Sequence, residues 1–133
     1  MAVRRQFESI VHARLEEAER ILQLLGTEKV PYEDERFLEW KSVTDCVLLF
    51  AFGELSRHTR SFRHLVEFVQ MERGLYVNRL SACMRRARLE VLQCGMRNPE
   101  RELPEGWELP DYPRNRAAQE LRRRKRRWFR WFW

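Results

Sequence analysis

Apolar residues recur at steps of three or four along three long stretches of this sequence, and in no stretch do they alternate with polar residues over the length of a strand. Steps of three or four place side chains on one face of an α-helix, whereas a strand requires a period of two. We therefore predict an all-α fold, a compact three- to four-helix antiparallel bundle. The 133 residues are enough for one domain with a hydrophobic core.

The first predicted helix carries a single apolar stripe, and Gly26 is placed to end it as a C-cap. Pro31 then interrupts the pattern, and Asp34 or a neighbouring acid is suited to cap the next helix. The stripe consists of Phe7, Ile10, Val11, Ala18, Ile21, Leu22 and Leu25.

A second stripe begins at Phe37 and keeps its steps of three or four as far as Val69. This pattern predicts either one long helix to about Met71 or two helices that meet near Gly53. The segment 46–52, CVLLFAF, is apolar on all sides, so we expect it to be the most deeply buried part. The stripe comprises Phe37, Trp40, Val43, Val47, Phe50, Glu54, His58, Phe62, Leu65 and Val69.

The third strong helical pattern follows Gly74 and ends at Gly95. Its apolar stripe contains Tyr76, Leu80, Cys83, Met84, Ala87, Val91 and Leu92. The other side carries a basic face about two turns long, formed by Arg79, Arg85, Arg86 and Arg88.

The composition changes after this helix. We divide the chain into a helical bundle at 1–96, a Pro-rich linker or strap at 97–113, and a basic-aromatic tail at 114–133 that can again be helical. The side chains expected to attach the strap to the bundle are Trp107, Leu109 and Tyr112. Four of the five prolines fall in the strap, namely Pro99, Pro104, Pro110 and Pro113.

Charge is distributed unevenly along the chain. Residues 1–55 have 7 basic and 11 acidic side chains, a net charge of −4, whereas residues 56–133 have 19 basic and 9 acidic ones, a net charge of +10. Such asymmetry indicates a basic face or tail that meets an anionic partner, either nucleic acid or a membrane surface.

The cysteines indicate neither a zinc site nor a disulfide framework. Cys46, Cys83 and Cys94 are odd in number and include no CxxC pair, so we expect buried thiols in a reducing compartment. We expect no cofactor and no metal. The start has no apolar core of signal-peptide length, and no run of about 18 apolar residues occurs. The predicted location is therefore cytoplasmic, or nuclear in a nucleated host, since RRRKRR suits nuclear import.

The segment RHTRSFRH places Arg57, Arg60 and His64 on one helix face. An arginine and a histidine at this spacing resemble the motif of HEPN-domain ribonucleases, which are all-helical and generally dimeric, with a composite site formed by two subunits. The resemblance implies catalytic roles for Arg57 and His64. The pair Arg5 and His12 has the same spacing, however, and composition alone gives about 1.5 such pairs.

His58 lies on the apolar stripe between Glu54 and Phe62. We interpret it as a core or interface histidine that is bonded to Glu54. The sequence contains no Gly-rich phosphate loop, no HExxH and no GxSxG motif.

The last residues combine six consecutive cations at 122–127 with five aromatic residues among the final six. Three interpretations are open. The cations can bind phosphates while the aromatic rings stack on unpaired bases, at about 1–3 kcal/mol per base. The same residues suit an anionic membrane surface, and the last eight resemble short Arg/Trp antimicrobial peptides. Alternatively, the rings pack on the bundle or on a second copy of the chain, because exposed aromatics are a liability in water.

We favour a small non-enzymatic nucleic-acid-binding protein with no small-molecule substrate. RNA or another single strand is the favoured partner, because no duplex-reading module is recognisable in the sequence. Trp128 and Trp131 are the predicted stacking residues, and Arg85, Arg86 and Arg88 form a secondary basic patch. The alternatives are a structural or interaction protein, homo-oligomeric or membrane-peripheral, and a HEPN-like metal-independent ribonuclease. The predicted phosphate contacts are Arg122, Arg123, Arg124, Lys125, Arg126 and Arg127.

Overall fold

The computed structural model describes residues 2–95 together with Leu109 and Tyr112, with side chains from residue 7 onward. In this part of the chain there are four helices: α1 (Ala2–Thr27), α2 (Glu35–Phe52), α3 (Arg57–Val66) and α4 (Arg73–Cys94). The described residues form no strand, so the predicted all-α bundle is confirmed, with four helices. The tail at 114–133 lies outside the described residues.

Neighbouring helices run antiparallel, as contacts along their lengths show. The Trp40 indole N–H of α2 donates to the backbone oxygen of Ala18 in α1 at 2.8 Å, and Phe50 packs on Phe7, nearer the start of α1. The Tyr76 hydroxyl, near the start of α4, donates to the oxygen of Val66 at the end of α3 at 2.8 Å. These contacts produce an up-down-up-down bundle, in which α4 also packs on α1.

The second apolar stripe divides into two helices at Gly53, which confirms the two-helix alternative. Gly53 has φ of 84°, a conformation that favours glycine, and its N–H donates to Leu49 O at 2.9 Å. Ser56 then caps α3 by accepting a hydrogen bond from the His58 backbone N–H at 3.3 Å. Buried Thr59 closes the corner, because its hydroxyl donates to Gly53 O at 2.7 Å.

The prediction that Gly26 caps α1 is wrong. The helix continues to Thr27, and Lys29 adopts the left-handed conformation, with φ of 52°. Val30 N donates to Leu25 O at 3.0 Å and Lys29 N donates to Gly26 O at 3.2 Å, the bonding pattern of a Schellman motif. Gly26 instead permits close packing of α1 on α4, since a Cβ at this position would lie 2.8 Å from a Val77 methyl carbon.

Most of the predicted stripe residues are buried in one core. Within segment 46–52, Val47, Leu48 and Ala51 have no exposed surface, whereas Cys46 and Leu49 are half-buried. Val69 and Leu92 are exposed, contrary to prediction. Val69 lies beyond the end of α3, where helical spacing no longer applies, and Leu92 falls in the last turn of α4.

Two residues of the predicted strap belong to this core. Leu109 and Tyr112 are both buried, and the Tyr112 hydroxyl lies 2.5 Å from the hydroxyl of buried Thr44 in α2. Both were predicted to attach the strap to the bundle. Trp107, the third predicted attachment, lies outside the described residues.

Candidate anion-binding surface on α3 and α4

The arginines described by the structure fall into two groups. One group is held by acids or carbonyls: Arg36 bonds to Glu28 and Asp34, and Arg63 bonds to Asp45 at 2.7 Å. The second group is exposed and has no hydrogen-bond or ion-pair partner in the described part of the chain. Its members, which we call the free arginines, are Arg57 and Arg60 of α3 and Arg79 and Arg86 of α4.

The arginines of the basic face predicted on α4 are turned toward two different helices, α1 and α3. Arg88 bonds to Glu19 of α1 at 2.6 Å, and Arg85 lies 3.4 Å from the other oxygen of the same carboxylate. Glu19 is nearly buried, so these two arginines are committed to the α1–α4 contact. Of the predicted secondary patch, only Arg86 is left without a partner among the described residues, and it lies on the side toward α3.

A small pocket brings Arg86 together with Arg57. It has a volume of about 170 Å³ and lies between the first turns of α3 and the middle of α4. The two guanidinium groups come from helices that are far apart in sequence, and each supplies five N–H donors without an acceptor. The pocket is lined by Arg57, His58, Ser61, Cys83 and Arg86.

His58 anchors the inner side of this pocket. Its Nε2 lies 2.5 Å from Glu90 Oε2, and its ring packs against Phe52 with centroids 4.6 Å apart. The prediction that His58 bonds to Glu54 is therefore wrong. The helix break at Gly53 removes the one-turn spacing between the two residues, and Glu54 instead lies 3.8 Å from Arg63.

The Cys83 thiol closes the pocket from α4. It contacts the backbone oxygen of His58 at 4.0 Å, and burial raises the pKa of the Cys83 thiol, which keeps it uncharged near neutral pH. Cys46 is half-buried, and its pKa is raised by burial and by the adjacent Asp45. Cys94 is exposed, so the expectation that all three cysteines are buried is wrong for this one.

A second pair of side chains continues the surface away from the pocket. His64 follows Arg57 by seven residues and Arg79 precedes Arg86 by seven, so each lies on the same helix face as its partner. Because α3 and α4 are antiparallel, the step from Arg57 to His64 and the step from Arg86 to Arg79 run in the same direction, each by about 10 Å along the helix axis. His64 is exposed and its ring lies edge-on to Phe68 at 4.9 Å.

The two residues of the ribonuclease-like motif therefore share a helix face but not a cavity. Arg57 lines the pocket, whereas His64 does not. The predicted phosphate-binding and stacking residues of the tail, Arg122–Arg127, Trp128 and Trp131, lie outside the described residues. Sequence reasoning missed the pairing of Arg57 with Arg86 and the contribution of Ser61, although the seven-residue spacings are visible in the sequence.

No group of three or more potential metal ligands occurs among the residues that the structure describes. Within that same part of the chain, none of the helices has the length and apolar character needed to cross a membrane. Comparison with known proteins produced no match to a family model, to a curated protein or to a solved structure.

Proposed function

We propose that this chain is a non-enzymatic nucleic-acid-binding protein whose ligand is RNA or another single strand. The observation that carries the proposal is the grouping of all four free arginines on α3 and α4. Arginines held by acids have already exchanged hydration for a protein partner, whereas a free guanidinium can bind phosphate without breaking an existing ion pair. The basic tail would extend the same interaction.

The packing of α4 favours single strands over a duplex. A helix that reads a duplex must enter a major groove about 12 Å wide. Helix α4 carries two of the free arginines, but α1 and α3 pack against it on either side. Flanking helices at the usual spacing of 8–10 Å would collide with the phosphate backbones before α4 reached the base edges. A flexible strand can instead follow the surface between α3 and α4.

The tail would supply tryptophan rings for base stacking, which the pocket lacks. No phenylalanine, tyrosine or tryptophan among the described residues lines the pocket, so the pocket itself offers phosphate contacts without one of these rings for stacking. Trp128 and Trp131 would provide stacking, which tolerates any base sequence. The expected binding is therefore strong at low salt and nearly independent of sequence.

A salt series on the full-length chain tests this proposal. We would measure the affinity for a fluorescently labelled single-stranded RNA of 12 nucleotides by anisotropy. Each phosphate contact adds about 0.7 to the slope of log affinity against log salt. Six tail cations and four free arginines thus give a slope of about −7 if all of them engage. Neutralising 122–127 with glutamine should remove about 4 from that slope, and Arg79→Gln with Arg86→Gln about 1.4.

The control replaces two exposed cations that belong to neither α3 nor α4. Arg20 and Lys29 are both exposed on or just after α1, so Arg20→Gln with Lys29→Gln should leave the slope unchanged. Weak binding that is the same in all four proteins would contradict the proposal, and anionic vesicles would then be tested as the partner. If the wild-type protein cleaves RNA in the presence of chelator and the His64→Ala variant does not, the ribonuclease alternative would be supported instead.

A further inference from the structure

We propose that the pocket formed by Arg57, Ser61 and Arg86 binds the terminal phosphate of the strand, a phosphate monoester. The inference rests on the proposed function and makes it more specific, since it distinguishes strand ends from the strand interior. It concerns a cavity that the sequence patterns did not indicate, because its two arginines are 29 positions apart and meet only through the antiparallel packing of α3 and α4.

The size of the pocket suits one phosphate group. Its volume of about 170 Å³ is close to the ~150 Å³ of a cavity that holds one benzene ring, a group similar in size to a phosphate. That space is therefore sufficient for a tetrahedral phosphate group. His58 and Cys83 close the inner side.

The charge of the pocket matches a monoester better than a diester. A phosphate monoester carries about −1.5 to −2 at neutral pH, because its second pKa is near 6, whereas a diester within the strand carries one charge. Arg57 and Arg86 together supply two positive charges and planar forks suited to phosphate oxygens. The Ser61 hydroxyl adds a neutral donor.

No carboxylate among the described residues opposes this charge inside the pocket. The Cys83 thiol is uncharged near neutral pH because of its burial. Glu90 is the acid associated with the inner side, but its Oε2 is bonded to His58 Nε2 and it does not line the cavity. Arg57 and Arg86 are therefore the charged groups that a ligand meets.

The surface beyond the pocket would receive the rest of the strand. Arg79 and His64 lie about 10 Å further along the α3–α4 surface, on the faces that carry Arg86 and Arg57. A strand anchored at its end in the pocket could thus place a following phosphate against Arg79. This arrangement predicts that Arg57 and Arg86 set the preference for a phosphorylated end, whereas Arg79 and Arg60 add affinity without preference.

The test compares three versions of one single-stranded 12-nucleotide RNA, phosphorylated at the 5′ end, at the 3′ end, or at neither. Full-length protein should bind one phosphorylated version about tenfold more tightly than the unphosphorylated strand, since charge-assisted hydrogen bonds are individually worth this much. In Arg57→Gln with Arg86→Gln, this preference should disappear. The control, Arg60→Gln with Arg79→Gln, removes the same charge and should weaken all three strands equally, leaving the preference intact.

The possible results separate this inference from the proposed function. Salt-dependent binding with equal affinity for all three strands would overturn the pocket assignment while leaving the proposed function in place. A preference that survives in Arg57→Gln with Arg86→Gln would overturn it as well. Adenosine monophosphate binding as tightly as the phosphorylated strand would identify a free nucleotide, not a strand end, as the ligand. If the full-length wild-type protein shows no salt-dependent binding to any of the strands, both proposals are wrong.

Discussion

Replacing Tyr112 with phenylalanine should destabilise the bundle, although Tyr112 lies well beyond α4 in sequence. Its hydroxyl lies 2.5 Å from the Thr44 hydroxyl, and both residues are buried, with 2% and 0% of their surfaces exposed. Water cannot replace the lost partner at such a site. The Thr44 hydroxyl would therefore be left without a hydrogen-bond partner, at a cost of about 1–3 kcal/mol.

The lower end of this range is the better expectation. Thr44 lies inside α2, and a threonine hydroxyl in a helix can turn to the carbonyl of the preceding turn. We expect Tyr112→Phe to lower the free energy of unfolding by about 1 kcal/mol, which corresponds to a fall in Tm of about 4 °C for a domain of this size.

A double-mutant cycle isolates the contact. Urea unfolding would be followed by circular dichroism for the wild type, Tyr112→Phe, Thr44→Val and the double variant. If the hydroxyls bond, the double variant should be less destabilised than the sum of the single variants, by about 0.5–1.5 kcal/mol. A coupling energy near zero would show that the hydroxyls do not interact in solution.

A matched pair of leucine substitutions tests whether this part of the strap is packed at all. Leu109 is 7% exposed and Leu92 is 67% exposed. Leu109→Ala should cost about 2–4 kcal/mol, as core truncations do, whereas Leu92→Ala should change stability by less than about 0.5 kcal/mol. Equal, small effects in both variants would refute the placement of Leu109 in the core.

Two further predictions concern α1 and α4. Gly26→Ala should lower the free energy of unfolding by about 1 kcal/mol, because the added methyl lies 2.8 Å from a Val77 methyl carbon and this clash outweighs the gain in helix propensity. In a Val77→Ala background, urea unfolding should show that the same change is neutral or stabilising. Burial raises the pKa of Tyr76, whose hydroxyl donates to Val66 O. The folded state thus keeps a proton that the unfolded chain loses near pH 10, so stability is fully present below pH 10 and falls above it. Tyr76→Phe should flatten the decline in urea midpoint between pH 9 and 11.

Helical periodicity was sufficient to predict the class of fold and most of the core, but not the helix boundaries. The second stripe keeps its steps of three and four across Gly53, because α2 and α3 both turn their inner faces toward one core. The break depends on the left-handed conformation of Gly53 and on the Ser56 cap. Both residue types are visible in the sequence, yet glycine also occurs inside helices, as Gly26 does here.

The position of His58 shows how one boundary changes a side-chain interaction. Along a continuous helix, Glu54 would lie one turn before His58 and could bond to it. The break at Gly53 separates the two residues, and the partner comes from α4, 32 positions later. Such contacts depend on the register between helices, which the spacing of apolar residues does not define.

The free arginines arise from the order of helices around α4. Arg85, Arg86 and Arg88 are close in sequence but differ by about 100° per residue around the helix, so they point toward different neighbours. The neighbour α1 carries Glu19, which takes up Arg85 and Arg88. The segment RHTRSFRHLV of α3 has no acid, so Arg86 meets Arg57 instead of a carboxylate. Helix α4 thus lies between one neighbour that supplies a carboxylate and one that has none, and its positive charge is left free on the α3 side. The sequence shows which residues carry charge, but only the packing order determines which of those charges are left for a ligand.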